Sequence, residues 1–410
     1  MSTAHSATTA TPYPVLHLRS GREFTVLNGH PWVFSGAFRD LARDGHDIPP
    51  GAVVDLMSSR GEWVARGHLN ARNSLAFRLL TLDRDEIIDE AFYVRRIERA
   101  LRLRALLPAN VTGYRLIHAE ADHLPGLIVD RFDRWLVCQF HTAGVERQRS
   151  TIIAALQQVI APEGILVRDD IRVREREGLT AGGATVEAGD VPETVEIAEY
   201  GVRYLVDPWH GQKTGFFLDQ RDKRATIGQL ATHAHTLLNT FSYSGGFSLA
   251  ALAHNPTLRT TNVDASAAAL DLARRNYQLN GHDPDAHEFV DADVNRYLQE
   301  SIQQGKRFDI VVVDPPAFAK NLAMKERALR GYETLNNQAA RAVAPDGLLL
   351  TCSCSGGVDY AEFEAAVRQG IQRTRRSAQI LATFGPSLDH PSLPGFPEDR
   401  YLKALLLRME

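Results

Sequence analysis

The chain has 410 residues, with 46 Lys and Arg against 50 Asp and Glu, a formal net charge of −4. That length exceeds one ordinary hydrophobic core and implies two or three domains. The acidic balance argues against an indiscriminate nucleic-acid coat, the 3 cysteines are too few for a disulfide framework and fit a reducing cytoplasmic setting, and no apolar run reaches the ~18 residues of a membrane span.

Residues 1–13 are small and polar and predict a disordered tail without the apolar core of a secretion signal. Residues 14–84 hold short alternating runs, among them GAVVDLMSS, EWVARGHLN and LAFRLLTL, separated by Gly, Pro, Asn and Asp clusters. That is the pattern of a small β-barrel or sandwich. Residues 86–107 have apolar positions at helical spacing and no Gly or Pro, which predicts one helix. Arg95, Arg96, Arg99, Arg102 and Arg104 lie on it with little acid to neutralise them, a candidate phosphate-binding face. The segment 168–177 mixes its arginines with acids and reads as a solvated face.

Strand-like GLIVDRF, WLVCQF and GILVRDD surround a helical pattern near 148–160, and VEIAEYGVRYLVD reads as a hairpin turning at Gly201. These define a small α/β module over 85–207. From about 221 the chain becomes strongly βα-periodic, with strands in HTLLNTFS, LRTTNVD, AHEFVDAD, FDIVVVDPP, GLLLTCS and YLKALLLRM. Such alternation predicts a doubly wound parallel sheet with helices on both faces, in a last domain spanning 208–410.

Ligands of such sheets bind outside the carboxyl ends of the strands. The first strand runs into NTFSYSGGFS, where Ser244, Gly245 and Gly246 form a tight turn that lets a ligand approach the backbone and the next helix N-terminus. The turn matches neither GxGxxG nor GxxxxGK[ST], which disfavours a dinucleotide or a nucleoside triphosphate. At the second strand end Asp264 either accepts a ribose diol or caps the following helix, a task open to Ser266 as well. At the third, Asp291 or Asp293 suits an adenine amino group or an ordinary turn. At the fourth, Asp314 precedes Pro315 and Pro316, which stiffen the exit. The fifth ends in TCSCS. Cys352 and Cys354 are one residue apart with no second pair, which does not make a zinc site and leaves core packing or nucleophilic chemistry.

Gly-rich turn, acid, acid and Asp-Pro-Pro, in this order, resemble the class I S-adenosylmethionine-dependent methyltransferases. QKTGFFLDQR (212–221), LLNTFSYSGGFS, DPPAF and TCSCS narrow the resemblance to the RlmI-type family of large-subunit ribosomal RNA methyltransferases, which make 5-methylcytidine. HPWVFSGAF (30–38) resembles the opening of their PUA domain, and RLIHAEADHLPGLIVDRF (115–132) that of their middle domain, with His123 as a departure outside the methyl-transfer domain. The resemblance implies a Rossmann-like methyltransferase domain preceded by a PUA-like β-barrel and a small α/β middle domain. It implies S-adenosyl-L-methionine as cofactor, walled by Phe216 and Phe217, with polar contacts from Asp219, Gln220 and Arg221. Asn239, Phe241, Tyr243, Ser244, Gly245 and Gly246 would contribute from the first strand end. Asp264 and Ala265, then Asp293, then Asp314 and Pro315 would follow from the next three. Large-subunit ribosomal RNA is the implied partner, as naked RNA or an assembly intermediate, with no membrane, a cytoplasmic location and a homodimer left open.

The implied chemistry explains the cysteine. Cytosine C5 accepts a methyl group only after a thiolate adds to C6 and makes an enamine; a base then removes the C5 proton and the thiolate leaves. By resemblance Cys354, within Ser-Cys-Ser, is the nucleophile, Asp314 holds or protonates N3, and Cys352 is inert packing. Some RNA cytosine-5 methyltransferases carry a second cysteine after the aspartate's first proline; Pro316 stands there, so one cysteine is implied. Lys320 and Tyr332 flank the loop as phosphate or base contacts, or as solvated residues. The target nucleotide must be single-stranded or flipped from its stack. Two rivals stand beside this reading. One is an enzyme that methylates an exocyclic amine of guanine or adenine, which needs no cysteine. The other is a non-catalytic RNA-binding ribosome assembly factor, which needs neither the acids nor the glycine turn.

Overall fold

A computed structural model of the chain describes residues 13–319 and 324–410. The expected tail, up to residue 12, and Lys320 lie outside the described residues. The chain divides into two compact units, one built from residues up to Leu106, Arg115–Pro192 and Pro391–Pro397, the other from Leu107–Tyr114, Glu193–His390 and Glu398–Glu410.

The first unit opens with strands β1 (Val15–His17), β2 (Trp32–Phe34), β3 (Ala52–Met57), β4 (Trp63–Leu69) and β5 (Leu75–Thr81), in the sheet order β1-β3-β4-β5-β2. Leu16, Val54, Leu56 and Phe77 are fully buried between them. The run after β1 turns into a short helix, Glu23–Leu27, which the alternating pattern did not predict. The predicted long helix spans Glu90–Arg104, capped by the Asp89 carboxylate, which accepts from the Phe92 N–H at 2.9 Å. Its inner face is Phe92, Tyr93, Ile97, Ala100 and Arg104. Much of the expected phosphate-binding face is used internally. Arg95 and Arg96 pair with Glu86, and Arg104 grips Asp122 with both guanidinium ends at 2.6 and 2.7 Å.

A second sheet has the order β10-β9-β8-β7-β6. Its strands are β6 (Gly113–His118), β7 (Leu127–Phe132), β8 (Trp135–Phe140), β9 (Gly164–Arg168) and β10 (Ala184–Gly189). The helix Arg149–Ile160 is the crossover that the parallel pair β8 and β9 requires. The sequence pattern did not predict β10, because it is solvent-facing along most of its length and shows no buried alternation.

The second unit holds the predicted hairpin, β11 (Val195–Glu199) with β12 (Val202–Val206), and a seven-stranded sheet. That sheet contains β13 (Thr236–Thr240), β14 (Arg259–Asp264), β15 (Glu288–Asp291), β16 (Phe308–Val313), β17 (Val343–Ser353), β18 (Ala378–Phe384) and β19 (Lys403–Met409). Their order is β15-β14-β13-β16-β17-β19-β18, parallel through β17 and antiparallel at β19 and β18. The sequence predicted the final strand but not its antiparallel sense, nor β18, an edge strand with exposed Ile380 and Leu381. Val311, Val312 and Val313 are fully buried because helices cover both sheet faces. The chain winds from β13 out to β15 and returns to β16 beside β13. The topological switch point therefore lies between β13 and β16, where a ligand crevice is expected. No helix among the described residues is long and apolar enough to cross a membrane.

Candidate active site

Past β13 the chain turns through Phe241–Gly245, with φ of 54° at Phe241, 46° at Tyr243 and 80° at Gly245. Left-handed backbone is costly for aromatic residues and persists where the surroundings over-determine it. Here the Tyr243 N–H donates to Asp264 Oδ2 at 2.9 Å, the Ser242 N–H to the Val263 carbonyl at 3.1 Å, and the Tyr243 hydroxyl to the Gly215 carbonyl at 3.0 Å. The capping task that the sequence left open between Asp264 and Ser266 falls to the serine. Ser266 caps the helix Ala267–Leu279 by accepting from the Ala269 N–H at 3.3 Å, which leaves Asp264 with its oxygens fixed by the N–H groups of Tyr243 and Ser266. Asp293 caps Val294–Gln303 through the Arg296 N–H at 3.0 Å.

These strand ends and the segment before Arg221 enclose a cavity of about 290 Å³. Of the residues expected to hold the donor, Phe217, Asp219, Gln220, Phe241, Tyr243, Ser244, Gly246, Asp264, Ala265, Asp293, Asp314 and Pro315 line it, together with Cys354. Asp291 is exposed and stands off the wall. Three expected residues do not reach it. Arg221 is fully buried in a bidentate pair with Asp389 at 2.9 and 3.0 Å, its remaining donor on the Gly113 carbonyl at 2.8 Å. Asn239 lies inside the sheet against Asn262. Gly245 backs onto Ala273 and Tyr277, which a Cβ there would meet at 3.3 Å. Arg224, one helical turn beyond Arg221, lines the cavity instead, tied to Glu199 at 2.7 and 2.9 Å. Lys213 also lines it, over the Phe217 ring and paired with Asp219 at 2.6 Å. Nothing in QKTGFFLDQR by itself marks this lysine out from its neighbours.

The two cysteines are distinguished by where β17 ends. Cys352 lies within the strand opposite Ala404 and is fully buried. Cys354 lies just past the strand, half-buried on the cavity wall, its thiol directed at the Pro315 carbonyl 3.7 Å away. Ser353 and Ser355 turn the other way, both hydrogen-bonded to the phenol of Tyr332 at 2.9 and 2.8 Å, and Ser355 also accepts from the Ala319 N–H at 3.1 Å. Tyr332 is fully buried, so it neither stacks on a base nor meets phosphate; it holds the two neighbours of Cys354. Tyr332→Phe removes both contacts, worth about 1 kcal/mol each. It is expected to lower kcat by roughly tenfold with donor binding unchanged, checked by steady-state kinetics beside calorimetry.

Burial raises Asp314 to about 6, with the Asp219 carboxylate adding to it. Burial pushes the Cys354 thiol up to about 11, and Asp314 again contributes. Burial would raise Asp219 too, but Lys213, His390 and Tyr401 outweigh it and hold that carboxyl well below the usual range. The cavity fits the donor that the resemblance implies. Asp219 Oδ1, Gln220 Oε1 and Ser242 Oγ are buried on its wall without a hydrogen-bond partner among the described residues, suited to the ammonium and hydroxyl groups of an amino-acid nucleoside. Asp264 lines the same cavity, and Phe217 and Tyr243 pack edge to face at 5.3 Å as an apolar wall.

Comparison with known proteins bears on the family and the fold. A PUA-like domain matches residues 16–82 and an S-adenosylmethionine-dependent methyltransferase family matches residues 171–408. The ribosomal RNA large subunit methyltransferase I of Klebsiella pneumoniae (strain 342) is 39% identical over 97% of this chain and 98% of its own length. That of Aeromonas salmonicida is 40% identical over 96% of this chain and 98% of its own. Among solved structures, SMU.776 complexed with SAH shares the fold with a TM-score of 0.82 at 23% identity, covering 96% of this chain and 99% of that one. The chain therefore belongs to the S-adenosylmethionine-dependent methyltransferases and, within them, to the family of the ribosomal RNA large subunit methyltransferases I.

Proposed function

We propose that the chain methylates C5 of a cytosine in large-subunit ribosomal RNA through a transient bond between Cys354 and ring C6. One observation carries the reading: the thiol of Cys354 and the carboxyl of Asp314 share one cavity wall with Asp264. Its relatives' names speak for a ribosomal substrate. The RNA is met as naked RNA or an assembly intermediate, because the target base must leave its stack to enter.

Bound S-adenosylmethionine supplies an electrophilic methyl group. The protein supplies the rest. Cys354, as thiolate, adds to C6 while Asp314 gives its proton to N3, and electron density moves to C5. After methyl transfer a water molecule takes the C5 proton, Asp314 recovers its proton from N3, and the thiolate departs. The amine-directed rival is disfavoured by Phe318. The aromatic residue that would hold a base packs against Tyr332, with ring centroids 4.7 Å apart.

The adduct needs one proton shared between Cys354 and Asp314. With the two groups at about 11 and about 6, that state prevails between those values. Below about 6 both groups are protonated and no thiolate forms. kcat/KM is therefore expected to rise with pH through about 6 toward neutrality, and Asp314→Asn should abolish that limb and lower the rate by roughly 100-fold or more. Loss of C5 methylation at one cytosine on deleting the gene, restored by wild type and not by Asp314→Asn, tests the reading. Methylation appearing on an exocyclic amine instead would overturn it.

A further inference from the structure

Lys403, the first residue of β19, is 4% exposed. Its side chain runs inward beside the end of β17, where its backbone pairs with Ser353. The ammonium donates to two backbone carbonyls, Ser355 at 2.8 Å and Val358 at 2.6 Å, and forms no carboxylate ion pair among the described residues. Both carbonyls belong to the loop that begins with Cys354. A buried charge held by neutral groups alone is expensive, because carbonyls return only part of the lost hydration.

Resting on the cysteine mechanism above, we propose that Lys403 is a positioning residue for the nucleophile: it pins the loop carrying Cys354 and is the counter-charge that the thiolate meets as it forms. The other groups facing Cys354 do not serve. Asp314, on the loop after β16, and Asp219 oppose a thiolate, and Lys213 favours one but is engaged by Asp219 at 2.6 Å. On the next helix, Asp359 and Glu362 cap Tyr360–Gln372, and Glu362 also pairs with Lys325. Burial brings Lys403 down to about 8, and Cys354, Asp359 and Glu362 pull it back up. The ammonium is thus the main form near neutral pH and would gain most from an anion beside it. The step balances. The thiol proton leaves Cys354 and one proton arrives on N3 through Asp314, while Lys403 keeps its own protons and its two carbonyl bonds throughout.

The test is the pH dependence of alkylation by iodoacetamide, followed at position 354 by peptide mass on the full chain without RNA. Cys138 and Cys352 are buried and serve as internal controls. Lys403→Met should slow alkylation of Cys354 at pH 7, where the ammonium is charged, by about tenfold, with the gap closing above about 8 as Lys403 loses its proton, and Lys403→Arg should restore most of the rate. kcat should fall with the alkylation rate while KM for RNA and SAH affinity hold. A Lys403→Met protein that still binds SAH and alkylates with the wild-type profile overturns the proposal. Should that variant not fold, Lys403→Gln is compared with Lys403→Arg in the same way: slower alkylation of the Gln variant supports the proposal, and matching profiles overturn it. Because no RNA is present, this outcome is independent of the covalent reading, which fails instead if Cys354→Ala keeps its turnover.

Discussion

Cys354→Ala is expected to abolish methyl transfer, by about 10⁴-fold or more, while leaving SAH binding intact. C5 of cytosine reacts only through the C6 adduct, and no neighbouring group can replace the sulfur. Cys352 cannot move into its place, because it is fully buried within β17. Cys352→Ala should therefore retain turnover. Other residues, Asp264 and Asp293 among them, line the cavity expected to take the donor, so the variant's donor affinity separates a chemical defect from a folding one. Single-turnover assays on transcribed ribosomal RNA, paired with calorimetry, read both quantities.

Asp389→Ala is expected to cause the largest loss of stability. Asp389 and Arg221 are 1% and 0% exposed, and the carboxylate takes both guanidinium ends of the arginine. Burial alone would raise the Asp389 carboxyl; His390 and Arg221 reverse this and hold it well below the ordinary range. Removing the acid leaves a guanidinium in the interior, with Glu199 3.5 Å from its Nε as partial compensation. Breaking such a pair costs roughly 3–5 kcal/mol, a fall in Tm on the order of 10 °C for a unit of this size. Arg221 directly follows Asp219 and Gln220 on the cavity wall, so donor binding should weaken as well. Thermal melts with and without SAH check both effects.

The core of the seven-stranded sheet was legible because β16 and β17 contain runs of buried apolar residues that end in Pro or polar residues. Burial on both faces writes itself into sequence as continuous Val and Leu. The parallel order locates the carboxyl ends, and with them Asp264, Asp314 and Cys354. β18 and β10 left no such trace, since an exposed strand need not alternate. Arg221 and Arg224 are indistinguishable in DQRDKR, three residues apart on one helix. Only the distant Asp389 decides which of them turns away from the cavity. Tyr332 and Lys403 share that difficulty. Each acts on the Cys354 loop from a position 21 or more residues off in sequence, through bonds to serine hydroxyls or to main-chain carbonyls that no motif records.

RNA containing 5-fluorocytidine offers the most direct examination of the central claim, because a C5–F bond cannot release its substituent after methyl transfer and the sulfur stays attached. The account predicts a stable protein–RNA complex that forms only with S-adenosylmethionine present and maps to the peptide containing Cys354. An enzyme that methylates ordinary RNA at full rate yet yields no such complex, or one attached at another residue, would contradict it.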